Sequence, residues 1–302
     1  MYYKETYRLK YIDDSDFPAI KELLWKVFRK KSSVVALKQK YDAFGLNYVS
    51  TIAYQNEQPV AFYGAILQKF KKNDREIIVA QACDSSTLQS HQGKGLHYEL
   101  AKLSYENMRK QNVSFVYAFL NENSFHSTKK LGWHTHLHMQ RFHVKLNTFP
   151  IAKVLNKLGW NGFYSLFFHK KVSQEVIAKL TENHKNKFTQ VFDTKFDTLK
   201  NYYTIEIEDC VFWIKIAGII HVGKFYAPSA EALQKAIKKL KRKAFFLGIT
   251  EFLFQVDPTS TIVSQLQTIE TPKESWCVGY LPFDSEIDLK DFIFTYSDSD
   301  TF

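Results

Sequence analysis

Apolar residues change their spacing along this chain in a way that marks out its elements. Ile77, Ile78 and Val79 open a β-branched run that continues to about Leu88, and Val113 to Leu120 contains FVYAFL, a second buried-strand pattern. Between them the spacing predicts a helix over 95–111. Leu96, Leu100 and Leu103 fall on one face, and Glu99, Lys102, Glu106, Arg109 and Lys110 collect on the other. The product is a strand, helix, strand crossover, right-handed where its strands pair in parallel. Upstream, Tyr7 to Ile12 has a strand pattern. Ser15 is placed to cap a helix carrying Ile20, Leu23, Leu24, Val27 and Phe28, and a second helix is expected from about Ser33 to Tyr41. Val49 to Tyr54 and Pro59 to Phe70 then form a hairpin around Gln55 to Gln58.

The second half repeats this order. Cys210 to Lys224 alternates like paired strands, Ala230 to Lys243 is helical, Glu251 to Val256 is a strand, Thr259 to Leu266 a short helix, and Trp276 to Phe283 a final strand. Between the halves, Ile151, Val154, Leu155 and Leu158 recur at helical spacing before Trp160, Phe163, Tyr164, Phe167 and Phe168. Contiguous aromatics are ordinarily buried, so a bridge packed between two domains is expected here, ahead of a lid over a cleft or a membrane-surface segment.

The crossover turn carries the chemistry. Gly93 and Gly95 stand at the predicted helix start, where amide N–H groups lack intrahelical partners and the helix dipole is positive. Glycine there lets an anion approach the backbone. A Walker loop needs four residues between its glycines and then Lys with Ser or Thr, which this turn lacks; a dinucleotide loop needs a third glycine where Tyr98 stands.

The sequence Gln92-Gly93-Lys94-Gly95-Leu96-His97 instead resembles the Gln/Arg-x-x-Gly-x-Gly/Ala acetyl-CoA pyrophosphate loop of the GNAT superfamily of N-acetyltransferases. The resemblance extends to the preceding strand (Asp84 to Leu88), an Asn-containing turn after the next strand (Asn121 to Ser124), and Lys130-Leu131-Gly132-Trp133. It covers about residues 5–146. It implies that Gln92, Gly93, Lys94, Gly95, Leu96 and His97 hold the pyrophosphate. It also implies that the pantetheine arm bonds to backbone near Ser86, Thr87 and Leu88 and that Asn123 touches the cofactor or, alternatively, caps the helix near Ser124. Two positions depart from the pattern: His97 replaces Gly or Ala and puts a side chain on the expected phosphate path, and Thr128 stands where many members carry a Tyr that protonates the departing thiolate. Asp84, the nearest carboxylate to the expected thioester, is the candidate base or ammonium anchor, with a structural hydrogen-bonding role as the alternative; His126 is the candidate acid in place of the missing Tyr.

The resemblance therefore implies a mixed α/β (α+β) GNAT fold, a mixed central sheet flanked by helices, with a second degenerate GNAT-like domain. The expected divisions are a transferase domain over 5–146, an aromatic connecting segment over 147–172 and the degenerate domain over 173–302. In the latter the helix at Ala230 follows Phe225 to Ser229, without a glycine pair, so one acetyl-CoA per chain is expected. The expected reaction is transfer of an acetyl or other acyl group to a primary amine of a small molecule; a catalytically silent protein that binds CoA or a protein partner is the alternative.

Composition changes this picture little. The chain has 302 residues, 45% of them hydrophobic, enough for one large or two ordinary domains. Net charge is +10, but the densest basic cluster, Lys235 to Lys243, lies on the polar side of an amphipathic helix, which argues for a solvated face rather than a nucleic-acid patch. Cys83, Cys210 and Cys277 are dispersed, and no apolar signal core or membrane span is evident, so a cytoplasmic protein is expected. His134, His136 and His138 alternate on one strand face, but no Cys or Asp completes a metal shell; no metal is expected.

Overall fold

A computed structural model describes residues 2–4, 6–168, 173–182, 184, 186–193, 197, 200 and 202–300. The chain forms two compact units that do not follow its linear order. The first comprises Met1–His136, Asp193–Leu199 and Val278–Asp288; the second comprises Leu137–Phe192, Lys200–Cys277 and Leu289–Phe302.

In the first unit the elements are β1 (Tyr2–Tyr3), β2 (Tyr7–Tyr11), α1 (Phe17–Phe28), α2 (Val34–Tyr41), β3 (Thr51–Gln55), β4 (Gln58–Lys72), β5 (Arg75–Thr87), α3 (Leu96–Lys110), β6 (Phe115–Leu120) and α4 (Glu122–Lys129). Strands β1 to β6 lie side by side in sequence order. All these pairs are antiparallel except β5 with β6, which are parallel, as a crossover through α3 requires. The core packs Phe17, Ile20, Leu23 and Leu24 of α1 and Leu37 and Tyr41 of α2 against Ile52, Phe62 and Ile66 of the sheet.

Local chemistry corrects three details of the sequence reading. Ser15 is not the cap of α1: Asp13 accepts from the Ser15 N–H at 2.8 Å and caps a short turn over Asp14–Asp16, and α1 follows with Pro18 in its first turn. Phe28, expected on the apolar face, is half exposed. The buried face of α3 is Leu96, Leu100, Ala101, Ser104, Tyr105 and Met108, rotated away from Leu103. Two small polar residues set that rotation: Ser104 Oγ donates to Val49 O at 2.5 Å, and Thr51 Oγ1 donates to Leu100 O at 2.8 Å, so the backbone of α3 sits close against the sheet.

The second unit contains most of β7 (His134–Lys145), then α5 (Ile151–Lys157), α6 (Gln174–Glu182), β8 (Thr189–Gln190), β9 (Tyr202–Ile207), β10 (Cys210–Ile216), β11 (Ile220–Tyr226), α7 (Ala230–Phe246), β12 (Glu251–Val256), α8 (Ile262–Gln267) and the first part of β13 (Lys273–Pro282). Its strand order is β7, β12, β11, β10, β9, with β11 and β12 parallel around α7. This is the first unit's crossover repeated. Residues 278–282 of β13 belong instead to the first unit, next to β6. The fold is mixed α/β, with helices against a mixed sheet in each half.

Candidate functional site

The site is assembled around a fault in the β4–β5 ladder. Phe62 pairs with Ser86 and Gly64 with Cys83, so Asp84 and Ser85 together oppose Tyr63. This is a β-bulge. Asp84 takes up the extra length with φ +52°. Gly64 is required at this point, because a Cβ there would lie 2.3 Å from Cys83 O and 2.7 Å from Tyr41 Oη. Parallel pairing of β5 with β6 is registered at Ala80–Val116 and Gln81–Tyr117, whereas β5 runs on to Thr87 and β6 to Leu120. Ser86, Thr87 and Leu88 thus lie where β5 continues beyond its registered pairing with β6. The Leu88 N–H donates to Val60 O at 2.9 Å, and Ser86 Oγ is buried without a partner among the described residues.

From Leu88 the chain turns through Gln89–His91 into the glycine loop. Gln92 Nε2 donates to Thr87 O at 3.4 Å and closes the loop onto β5. Gly93 (φ +74°) and Gly95 (φ +84°) hold left-handed conformations, and a Cβ on Gly93 would meet nothing within 4 Å, so its surface is open. Gly95 is the N-cap of α3, and no side chain caps that helix. Its first-turn N–H groups face an exposed loop with the positive end of a helix dipole. Tyr3 Oη at 3.2 Å and Lys4 Nζ at 3.4 Å both donate to Lys94 O, fixing the peptide that leads into the helix.

His97 does not lie across the loop. Its ring packs on Tyr63, centroids 5.5 Å apart, leaving Nε2 buried without a partner; burial pushes the imidazole below the usual histidine range. The helix position therefore presents its backbone to the loop while its side chain points at the bulge. Behind it, Tyr63 Oη donates to Tyr105 Oη at 3.2 Å and Trp133 Nε1 donates to the same oxygen at 2.8 Å. Sequence periodicity did not single out Tyr63 or Tyr105. The only available signal was polar tips on otherwise buried aromatic positions, which need partners.

Asp84 is enclosed by cations. Lys40 Nζ donates to Oδ2 at 2.6 Å, Lys30 Nζ to Oδ1 at 2.8 Å, and Tyr41 Oη to Oδ2 at 3.1 Å. Burial by itself would raise this carboxyl, but the charges of Lys40 and then Lys30, with their hydrogen bonds, outweigh it and hold the group well below the usual carboxylate range. Lys30 also lines a groove of about 560 Å³ together with Lys21, Trp25, Lys31, Ser32 and Ser33. The Arg29 guanidinium lies over the Trp25 ring, 5.7 Å from its centroid.

The α4 residues are placed differently from one another. Asn121, not Asn123, caps the helix: its side chain accepts from the Ser124 N–H at 2.9 Å, and Ser124 Oγ accepts from the Asn121 N–H at 2.9 Å. Asn123 lies in the first turn, and its side chain is outside the described residues. His126 is exposed. Thr128 is buried, and its hydroxyl donates back to the Ser124 and Phe125 carbonyls. Among the three alternating histidines, His134 and His136 lie against the Tyr280 ring, at 5.6 and 6.3 Å between centroids, and His138 faces Glu274 at 3.3 Å.

Residues 8–135 match a family model described as an acetyltransferase (GNAT) domain. Over these residues the chain is similar to an acetyltransferase domain of the GNAT type. The match spans the glycine loop, the bulge and α4. Solved structures agree in fold. A GCN5-related N-acetyltransferase from Kribbella flavida is 13% identical with a TM-score of 0.61, over 90% of this chain and 70% of that one. A conserved protein of unknown function from Enterococcus faecalis is 13% identical with a TM-score of 0.66, over 92% and 73%. Saccharomyces cerevisiae N-myristoyltransferase with bound myristoyl-CoA is 12% identical with a TM-score of 0.58, over 93% and 80%. No curated protein matches the chain in sequence.

The second, GNAT-like unit lacks the loop chemistry. Ser229 Oγ accepts from the Ala232 N–H and caps α7, and the preceding residues contain no glycine pair. Beyond the registered pairing of β11 with β12, Thr295 bridges to Val256 and the Phe294 N–H reaches Asp257 Oδ2. The space left among these strand ends and Ile293–Thr295 is about 20 Å³, no more than a water requires.

Proposed function

We propose that the chain is an acyltransferase that uses acetyl-CoA to acylate the primary amine of a small molecule, with one donor site per chain. The observation that carries this reading is the open glycine loop at the uncapped start of α3, beside the strand end where Ser86 Oγ and the His97 ring nitrogen are buried without partners. Backbone N–H groups at Gly93 to His97 suit a pyrophosphate, and the Ser86 to Leu88 edge suits an amide-bearing arm. Asn123 is carried as a further contact to the donor. When bound, acetyl-CoA supplies an activated thioester.

The chain's own residues then have distinct tasks. Asp84 is a poor proton acceptor, since its carboxyl is held low and both oxygens are engaged; it acts as an anchor for ammonium groups. Lys30 links that anchor to the groove of Lys21, Trp25 and Lys31, where we place the acceptor. The lysines there suit an acceptor that carries a carboxylate or phosphate besides its amine. Thr128 is committed to the α4 backbone, so His126, exposed on the same helix, is the side chain assigned to return a proton.

Thermal denaturation with acetyl-CoA, followed by thiol release across a panel of amines, tests the reading. Stabilisation and thiol release with an anionic amine are expected. Absence of stabilisation at millimolar acetyl-CoA sinks the proposal. Stabilisation without turnover on any amine leaves a silent CoA-binding protein, the reading that the engaged Asp84 and Thr128 would then favour.

A further inference from the structure

The connecting segment 147–168 has an inner and an outer face, and only the inner one is used by the fold. Ala152 and Tyr164 are fully buried in the core of the second unit. The Ala152 N–H donates to Gly248 O at 3.0 Å, Tyr164 Oη to Leu247 O at 3.2 Å, Thr148 Oγ1 to Phe245 O at 3.0 Å and Lys243 Nζ to Phe167 O at 2.7 Å. Ile151 closes against Gly248, where a Cβ would lie 2.4 Å from its own. These bonds join the segment to the end of α7 as one continuous surface.

The outer face of that surface is apolar. Phe149 is 82% exposed, Trp160 64%, Leu166 74% and Phe246 83%, and Val154 and Leu158 are more than half exposed. The expectation that the aromatic run from Trp160 to Phe168 would be buried therefore holds for Tyr164 and Phe168 and fails for Trp160, Phe163 and Phe167. A contiguous exposed apolar patch on a folded unit marks a docking surface.

Charge identifies what docks. No Asp or Glu occurs between Glu122 and Glu175, nor between Glu231 and Glu251, so neither chain segment that builds this face carries a negative side chain. Lys153, Lys157 and Arg242, on the two segments that build the face, are exposed. Aromatic and aliphatic side chains interspersed with cations, without any anion, complement a bilayer surface: the rings enter the headgroup layer and the cations meet anionic lipid. A protein partner would not require acids to be absent. We propose that this face seats the protein peripherally on anionic membranes. Among the described residues no helix is long and apolar enough to cross one, so the attachment is at the surface.

Sedimentation of the full chain with vesicles tests this. Vesicles of phosphatidylcholine with phosphatidylglycerol should carry the protein down, vesicles of phosphatidylcholine alone should not, and added salt should release it. The triple variant Trp160→Ser, Leu166→Ser, Phe246→Ser should lose binding while keeping its circular dichroism. A second variant, Lys153→Gln with Lys157→Gln, should weaken partitioning about thirtyfold, since each cation near the surface contributes a factor of about five. The proposal is overturned if phosphatidylglycerol vesicles do not carry the wild-type chain down, or if the double lysine variant binds as well as wild type. It is equally overturned if the wild-type chain ignores vesicles and forms a dimer that the triple variant breaks.

Discussion

Lys40 Nζ lies 2.6 Å from Asp84 Oδ2, and the two side chains are only 10% and 8% exposed. An ion pair this deep is costly to break from one side, because the surviving charge has no solvent to turn to. Asp84→Asn should therefore destabilise the protein by about 3 kcal/mol, read by urea denaturation. Adding Lys40→Met should recover much of the loss. The Lys30 contact, on a side chain 36% exposed, contributes far less.

The same pair fixes a pH dependence. The folded Asp84 carboxyl titrates below its unfolded value, so its stabilisation is fully present above the ordinary aspartate range near about 4 and is lost as pH falls through the folded value. Wild type should lose stability on acidification below that range, and Asp84→Asn should show a shallower loss. Because the group stays ionised across neutrality, the pH–rate profile of the variant should keep its wild-type shape. Disappearance of an ascending limb would return the base role to Asp84.

Gly95→Glu should abolish stabilisation by acetyl-CoA, since a carboxylate would enter the anion path at the start of α3. Gly95→Ala separates this from folding. At φ +84° an alanine costs about 1 kcal/mol, and the nearest atom to its Cβ is the mobile end of Tyr3, at 2.8 Å. Alanine should lower the melting temperature modestly and retain donor binding; unchanged affinity in the glutamate variant would mean that this loop does not hold the donor.

The crossover and its loop were legible because both signals are local: the apolar period switches from two to about 3.6 around Gly93 and Gly95. What escaped depends on distance along the chain. Asp84 could be named as the carboxylate nearest the thioester, but its state depends on Lys30 and Lys40, more than forty residues away in sequence. The face of α3 was misjudged at Leu103 because Ser104 and Thr51 contact backbone and draw the helix round. Strand β9 went unread, although its residues Tyr202 and Tyr203 are buried, and the assignment of 278–282 to the first unit has no sequence signature. The apolar residues named between Ile151 and Phe168 were read without distinguishing those that face the core from those that face out.

Gly64→Ala should be more damaging than the size of one methyl group suggests. The added methyl would press on Cys83 O, a backbone atom of the bulge that cannot step aside, as well as on Tyr41 Oη, which bonds Asp84. Overpacking of this kind costs about 1–3 kcal/mol. Denaturation should show that loss. Acetyl-CoA stabilisation should fall with it, because Ser86 and Thr87 are carried by the same irregular stretch of β5. A destabilised variant with full donor affinity would separate the bulge from the donor site.

Lys31→Glu addresses the acceptor side. Lys21, Lys30 and Lys31 line the groove beside Trp25, and Lys30 is already engaged by Asp84, so Lys21 and Lys31 are the cations positioned for an incoming anion. Reversing Lys31 replaces an attraction with a repulsion in a partly exposed setting, where each close charge contact is worth about 1 kcal/mol. KM for an anionic amine should rise on the order of tenfold or more, KM for a neutral amine should change little, and the acetyl-CoA thermal shift should stay at its wild-type value. The neutral amine is the control that matters. If both amines suffer equally, the groove shapes the fold or the donor site rather than selecting the acceptor, and the assignment of an anionic substrate fails.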